Sequence, residues 1–95
     1  MIAKAKKNFC FIVNPIAGNS NNKKYCLDLI EEVKSSFVDI QCVDLQRKGH
    51  ASEVVEQNRG RDNCTIVSVG GDGTFNEIAS ALVGSDTPVA IVPRG

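Results

Sequence analysis

The apolar positions of the chain fall into short runs that predict four strands. FCFIV (Phe9–Val13), CTIVSV (Cys64–Val69) and VAIV (Val89–Val92) are continuous, which is typical of strands buried on both faces of a sheet. VDIQCVDL (Val38–Leu45) alternates instead, with Val38, Ile40 and Cys42 on one side. That alternation predicts a half-exposed strand at or near a sheet edge.

Apolar residues at helical spacing separate these runs and predict three helices. GNSNN (Gly18–Asn22) offers several caps for the first helix, and Gly60 and Gly84 are placed to end the second and third. The inward-facing positions are Cys26, Ile30, Val33 and Phe37, then Ala51, Val54 and Val55, then Phe75, Ile78, Ala79 and Leu82. The order β-α-β-α-β-α-β predicts an α/β fold, a mostly parallel sheet with helices on both faces.

Three loops follow the carboxyl ends of the predicted strands: NPIAG, QRKGHA and GGDGT. Ligands of open parallel sheets bind outside those ends. We therefore expect the three loops to converge on one rim and form the site.

Composition narrows the class of protein. The 95 residues correspond to one small domain or a piece of a larger one, with a formal net charge of zero. That charge gives no reason to expect nucleic acid as a partner. The start MIAKAKKNF lacks a secretory apolar region, and no run could span a bilayer, which predicts a cytoplasmic protein. VAIVPRG stops in a turn just past a strand of buried type, which favours a fragment.

The four cysteines are Cys10, Cys26, Cys42 and Cys64, far apart and without a C-x-x-C pair. We expect them to be small buried hydrophobes in a reducing compartment rather than a disulfide scaffold or a metal site.

The stretch VSVGGDGTFNE (Val67–Glu77) places glycines between a strand and a helix. Glycines let backbone amides approach a ligand, and the positive end of a helix dipole favours phosphate. Thr74 is placed to cap the helix or to donate its hydroxyl to phosphate. No Walker A lysine follows, and Asn76 stands where a dinucleotide fingerprint has its third glycine.

Asp72 is the unexpected residue of this loop. At about 4 Å, a carboxylate and a phosphate repel by about 4 kcal/mol per unit charge at an effective dielectric of about 20. A Mg²⁺ ion that arrives with the nucleotide would offset this, directly or through water. The alternative is that Asp72 only bonds neighbouring amides of a tight turn.

His50 is the single histidine. It lies at a strand-to-helix step without a Ser or Cys nucleophile pattern. A structural or nucleotide-edge role is favoured over general-base chemistry.

Four motifs, in order, resemble the diacylglycerol kinase catalytic domain family, the lipid kinases that include bacterial diacylglycerol kinase-like enzymes and sphingosine kinases. GGDGTFNE resembles the family signature, FIVNPIAG its first-strand loop, and KGHA its Gly-His-Ala step. VAIVPRG resembles the strand before its Pro-x-Gly-Thr/Ser-Gly-Asn loop. The resemblance covers Phe9 to Gly95.

The resemblance implies that residues 1–95 are a truncated N-terminal ATP-binding domain, similar to those of NAD kinases and phosphofructokinases. The lipid site and general base would lie in an absent β-rich second domain, and the full-length enzyme would touch a membrane surface transiently. ATP phosphates would be cradled by Gly70, Gly71, Gly73 and Thr74. Asp72 would act catalytically on the Mg²⁺ side, and Asn76 and Glu77 would shape the helical exit of the loop. Asn14, Pro15 and Gly18 would line the other edge of the nucleotide.

Two departures from the family pattern bear on the site. Leu45 stands where many members have a nucleotide-contacting threonine, and Arg94 where a small or apolar residue is common. Two alternatives stay open. NAD kinases and phosphofructokinases have similar Gly-Gly-Asp-Gly loops, so a relative of these enzymes is one. A non-catalytic nucleotide-binding or scaffold domain is the other, and Leu45 fits it. The particular lipid and the oligomeric state also stay open.

Overall fold

A computed structural model describes residues 6–15, 21–33 and 37–94. Strands and helices alternate as the sequence predicts. They are β1 (Lys7–Val13), α1 (Asn22–Glu32), β2 (Val38–Asp44), α2 (His50–Asn58), β3 (Cys64–Gly70), α3 (Asp72–Ala81) and β4 (Val89–Pro93).

The four strands form one parallel sheet in the order β2-β1-β3-β4. The continuous apolar runs of β1 and β3 occupy the two central places, and Cys10–Val13 and Ile66–Gly70 are buried. The alternating strand β2 lies at an edge, as its pattern predicts.

Two apolar cores lie on opposite faces of the sheet, which confirms the predicted three-layer α/β architecture. On one face, Ile12 and Ile66 pack with residues of α2 and α3 such as Val55 and Ile78. On the other face, Val13 and Val69 pack with residues of α1, the one described helix on that side. Successive residues of β1 face opposite layers because side chains alternate along a strand.

The other edge strand, β4, is more exposed than its VAIV run indicates. Val89 and Ile91 are 37% and 52% exposed. Their partners on β3, Ile66 and Ser68, are buried beneath the α2–α3 layer. That layer does not extend over β4 within the part of the chain that the structure describes.

The first helix is shorter than its apolar spacing predicts, so placing Phe37 on its inner face was wrong. The helix ends at Glu32, and Phe37 lies just before β2 with 59% of its surface exposed. Phe75 is also only partly buried and belongs to neither core. The predicted stops are confirmed, since Gly60 and Gly84 follow α2 and α3 with φ of +78° and +81°.

The prediction that all four cysteines are small buried hydrophobes without a disulfide is wrong for two of them. Cys26 of α1 and Cys42 of β2 form a disulfide, which ties the helix to the edge strand. Cys10 and Cys64 are buried free thiols, as expected. Among the described residues, no helix has the length and apolarity to cross a membrane.

Candidate functional site

The carboxyl ends of the strands are joined laterally by backbone hydrogen bonds. Asn14 N donates to Val69 O (2.9 Å), Leu45 N to Val13 O (2.9 Å) and Arg94 N to Gly70 O (2.9 Å). The chain segments that leave all four strands therefore start from one continuous rim.

A cleft of about 410 Å³ opens at this rim, between the loops that follow β1, β2 and β3. Of the predicted site residues, it is lined by Asn14, Pro15, Gly73, Thr74 and Glu77. The β2–α2 loop adds Leu45, Gln46 and Arg47. The predicted convergence of the three loops is thus present, while Gly18 lies outside the described residues.

The glycine-rich segment opens directly into α3. Gly71 is the N-cap with extended φ and ψ (−98° and −167°), and among the described residues no side chain caps the first turn of the helix. Thr74 lies within the first turn, so its alternative role as the cap is wrong. The free amides of this turn and the positive end of the helix dipole can accept an anion.

Gly70 is the glycine whose place excludes a side chain. Its φ is +157°, and a Cβ there would lie 3.2 Å from both Asn14 Cβ and Thr74 Oγ1. This close approach brings the loops after β1 and β3 together. Gly73, by contrast, faces open space, with nothing within 4 Å of a Cβ position.

Asp72 is the first residue of α3 and is exposed. Among the described residues, no hydrogen bond to its carboxylate is formed, which removes support from the tight-turn alternative. Nor do these residues contain a group of three His, Cys, Asp or Glu side chains able to hold a metal ion. A Mg²⁺ ion at Asp72 would need its other ligands from phosphate and water.

Glu77 and Asn76 differ in their placement. Glu77 Oε2 accepts from Ser52 N (3.0 Å) and Ser52 Oγ (3.2 Å), so its carboxylate caps the first turn of α2. Asn76 is exposed on α3 and does not line the cleft. Glu77 thus links α3 to the first turn of α2.

The buried side chain of Asn22, the first residue of α1, hydrogen-bonds to the backbone of Asn14. Asn22 Nδ2 donates to Asn14 O (2.7 Å) and to Arg94 O (3.0 Å), and Arg94 Nε donates to Asn22 Oδ1 (2.8 Å). The Arg94 guanidinium lies 4.4 Å from the centre of the Tyr25 ring. Arg94 therefore has a structural role at the rim, through its hydrogen bonds with Asn22.

His50 closes the β2–α2 loop. Its Nδ1 accepts from Gln46 N (3.0 Å), and its own N donates to Arg47 O (3.2 Å). This geometry supports the structural role that was favoured over general-base chemistry.

Sequence reasoning missed Asn22, Gln46, Arg47 and Ser52. The second and third of these carried a signal, because QRKGHA was already placed at the rim by its position after a strand. Asn22 and Ser52 carried none, since their partners are distant in sequence.

A second, larger groove of about 750 Å³ lies at the amino ends of the strands. Three cationic residues among those described line it, Lys7, Arg59 and Arg61. Of these, Arg59 already donates to Ala81 O and Val83 O at the end of α3. Because parallel sheets bind ligands at the opposite end, we place the site at the carboxyl rim.

The fold and rim define a class: parallel α/β domains in which a glycine-rich loop opens a helix at the carboxyl edge of the sheet. Within that class, residues 8–95 match the family model described as the diacylglycerol kinase catalytic domain. The chain belongs to this family of lipid kinases, as the four motifs predict.

Three relatives illustrate the family. The chain is 35% identical to an uncharacterized protein of Synechocystis sp., with 88% of the chain and 22% of that protein covered. It is 30% identical to sphingoid long-chain bases kinase 1 of Arabidopsis thaliana (97% and 13% covered). It is 27% identical to a diacylglycerol kinase of Staphylococcus haemolyticus (88% and 26% covered). The chain therefore spans between 13% and 26% of the length of these relatives.

Proposed function

We propose that this chain binds Mg·ATP in the carboxyl-rim cleft and serves as the nucleotide-binding part of a lipid kinase. The observation that carries the proposal is the first turn of α3, which no side chain of the described residues caps and which opens into a cleft lined by Asn14, Gly73 and Thr74. Family membership supplies the reaction class, transfer of a phosphoryl group to a lipid hydroxyl such as that of diacylglycerol.

In this proposal the backbone does most of the binding. The amides of Gly71, Asp72 and Gly73 point toward the phosphates, with the Thr74 hydroxyl as a further donor. The exposed Asp72 carboxylate holds the Mg²⁺ ion that arrives with ATP, directly or through water. Catalysis is then mainly positioning and neutralisation of charge on the transferred phosphoryl group.

The lipid is proposed to bind in a part of the enzyme that these residues do not include, as the family resemblance implies. We therefore expect the 95-residue chain alone to lack lipid kinase activity. Phosphatidic acid produced by the purified chain, and lost in Asp72→Ala, would overturn that expectation. We also propose that the whole enzyme is cytoplasmic and meets its lipid at a membrane surface.

The test is a titration of the 95-residue chain with Mg·ATP, followed by the NMR shifts of its backbone amides. Asp72→Ala is the informative variant. Asp86→Ala is the matched control, because Asp86 is also an exposed carboxylate but lies at the amino ends of the strands. We expect Mg²⁺-dependent shifts at residues 70–74 and at Asn14, weakened in Asp72→Ala and unchanged in Asp86→Ala.

Absence of shifts in a folded sample would contradict nucleotide binding by this chain and favour the scaffold alternative. Displacement of ATP by NAD or by a sugar phosphate would favour the NAD kinase or phosphofructokinase alternative.

A further inference from the structure

The β2–α2 loop places one arginine at the cleft. Among the described residues that line the cleft, Arg47 is the single cation. Its backbone is fixed, because Arg47 O accepts from His50 N (3.2 Å) while the preceding Gln46 N donates to His50 Nδ1 (3.0 Å). These two hydrogen bonds close the turn that carries Arg47.

The carboxylates near the cleft favour a positive side chain at a site for phosphates. Glu77 lines the cleft, and Asp72, outside the cleft lining, is exposed in the first turn of α3, so two carboxylates lie close to the place proposed for phosphates. Ser52 donates two hydrogen bonds to Glu77 but brings no positive charge. A positive side chain lowers the electrostatic cost of bringing a triphosphate close to these carboxylates.

We propose that Arg47 binds the phosphate groups of the nucleotide, which makes it an affinity-determining residue of the site. This inference rests on the proposed function. Guanidinium groups bind phosphate oxygens through two parallel N–H donors, and the resulting charge-assisted bonds are stronger than neutral ones.

Glu53 orders the Arg47 side chain through an ion pair. Arg47 Nη2 forms an ion pair with Glu53 Oε2 in the first turn of α2, and both side chains are more than half exposed. An exposed ion pair is weak, so Arg47 can exchange the carboxylate for a phosphate at little cost. Glu53 thus orders the guanidinium without blocking it.

The packing of Leu45 supports the assignment of Arg47 as a phosphate-binding residue. Leu45 is partly buried and packs against the core beneath α2 and α3. Its side chain offers no polar group to the cleft, which Leu45 and Arg47 both line. Arg47, two residues further along the same loop, is the charged side chain that this loop brings to the cleft.

The test compares Mg·ATP and adenosine as ligands of the 95-residue chain, by isothermal titration calorimetry. Arg47→Gln removes the charge, and Arg47→Lys keeps it without the paired donors. Lys48→Gln is the matched control, since Lys48 is the next residue, is exposed and lies outside the cleft lining. Unfolding midpoints of all variants are measured alongside, and these exposed positions are expected to leave them unchanged.

We expect Arg47→Gln to weaken Mg·ATP about tenfold, which is the size of one charge-assisted hydrogen bond. Adenosine affinity stays the same in every variant, Arg47→Lys lies between wild type and Arg47→Gln, and Lys48→Gln binds like wild type. Glu53→Gln binds Mg·ATP like wild type, because the exposed ion pair between Arg47 and Glu53 is weak.

Equal loss of Mg·ATP affinity in Arg47→Gln and Lys48→Gln would overturn the inference, because it would show a general charge effect. Wild-type affinity in Arg47→Gln would also overturn it, while leaving the proposed function in place. A wild-type chain that binds neither ligand would overturn the proposed function and this inference together.

Discussion

Asn22 and Arg94, 72 residues apart, bind each other in both directions at the carboxyl rim. Arg94 Nε donates to the side-chain oxygen of Asn22 (2.8 Å), and the Asn22 amide donates back to the Arg94 carbonyl (3.0 Å). The same amide donates to Asn14 O (2.7 Å), and Asn22 is fully buried. One side chain therefore joins the start of α1 to the ends of β1 and β4.

We expect Asn22→Leu to lower the free energy of unfolding by about 3 kcal/mol, since it removes the donor to two carbonyls and the acceptor for Arg94. Arg94→Met, which keeps the backbone carbonyl, should cost about 1 kcal/mol. Urea unfolding of both single variants and the double variant measures the coupling. Strictly additive losses would show that the two side chains act independently.

Strands β1, β3 and β4 were predictable because apolar runs of four to six residues, bounded by turns, leave few alternatives at this length. Strand β2 was predictable from its alternation of apolar and polar residues. The end of α1 was not, since Val33 and Phe37 continue its 3.6-residue spacing although the helix stops at Glu32. The rim loops were predictable from strand order alone. The contacts of Asn22, and of Glu77 with Ser52, depend on tertiary packing that no local pattern records.

The bond between Glu77 and Ser52 predicts a stability effect at a residue of the candidate site. Glu77 Oε2 accepts from both the amide and the hydroxyl of Ser52, at the positive end of α2. Glu77→Ala should lower the free energy of unfolding by about 1–2 kcal/mol, as loss of a helix cap does. Ser52→Ala should cost less because its amide remains.

A double-mutant cycle on these two positions, followed by thermal and urea unfolding, isolates the hydroxyl bond. The control is Glu56→Ala, which removes an exposed carboxylate of α2 that pairs with Arg59 on the same surface. If Glu77→Ala and Glu56→Ala had equal effects, the capping role would be wrong.

A substitution at Gly73 can separate an effect on folding stability from an effect on Mg·ATP binding. An added Cβ at Gly73 would meet no atom within 4 Å, and the residue lies in the first turn of α3. Gly73→Ala should raise stability by about 0.5 kcal/mol through the unfolded state. It should also weaken Mg·ATP, because the methyl group would lie where the phosphates approach. Unchanged affinity would show that the nucleotide does not contact this turn.

Gly70→Ala is the contrasting variant. Its methyl group would crowd Asn14 and Thr74 at 3.2 Å, at a φ that disfavours side chains. We expect a loss of about 2 kcal/mol in the free energy of unfolding. A stable Gly70→Ala chain would contradict the close approach of these two loops.

The Cys26–Cys42 disulfide predicts a redox-dependent stability. It closes a loop with a sequence separation of 16 between α1 and β2. Reduction should lower the free energy of unfolding by about 3 kcal/mol, chiefly because the unfolded chain regains conformations. Urea unfolding with and without dithiothreitol measures this.

The control for reduction is the double variant Cys26→Ala/Cys42→Ala, whose stability should not respond to dithiothreitol. Cys10 and Cys64 should resist alkylation in the folded chain under both conditions, because both thiols are buried. A wild-type chain that behaves identically in both conditions would exclude a stabilising disulfide.

The buried Cys10 thiol predicts how stability changes in alkaline solution. Burial raises the pKa of Cys10 from 9.0 to about 11; Cys64 adds to the rise, and Arg61 opposes it. In the unfolded chain the thiol ionises near its ordinary pKa, whereas in the folded chain it stays neutral to a higher pH. The contribution of the neutral thiol is therefore complete below pH 9 and is lost as pH rises toward 11.

The measurement is urea unfolding of wild type and Cys10→Val between pH 7 and 10.5. Valine keeps an apolar side chain of similar size and does not titrate, so lysine and tyrosine effects cancel in the difference. Relative to Cys10→Val, wild type should lose about 1.4 kcal/mol per pH unit above pH 9. Parallel pH profiles for the two proteins would mean that Cys10 is accessible to solvent in the folded chain.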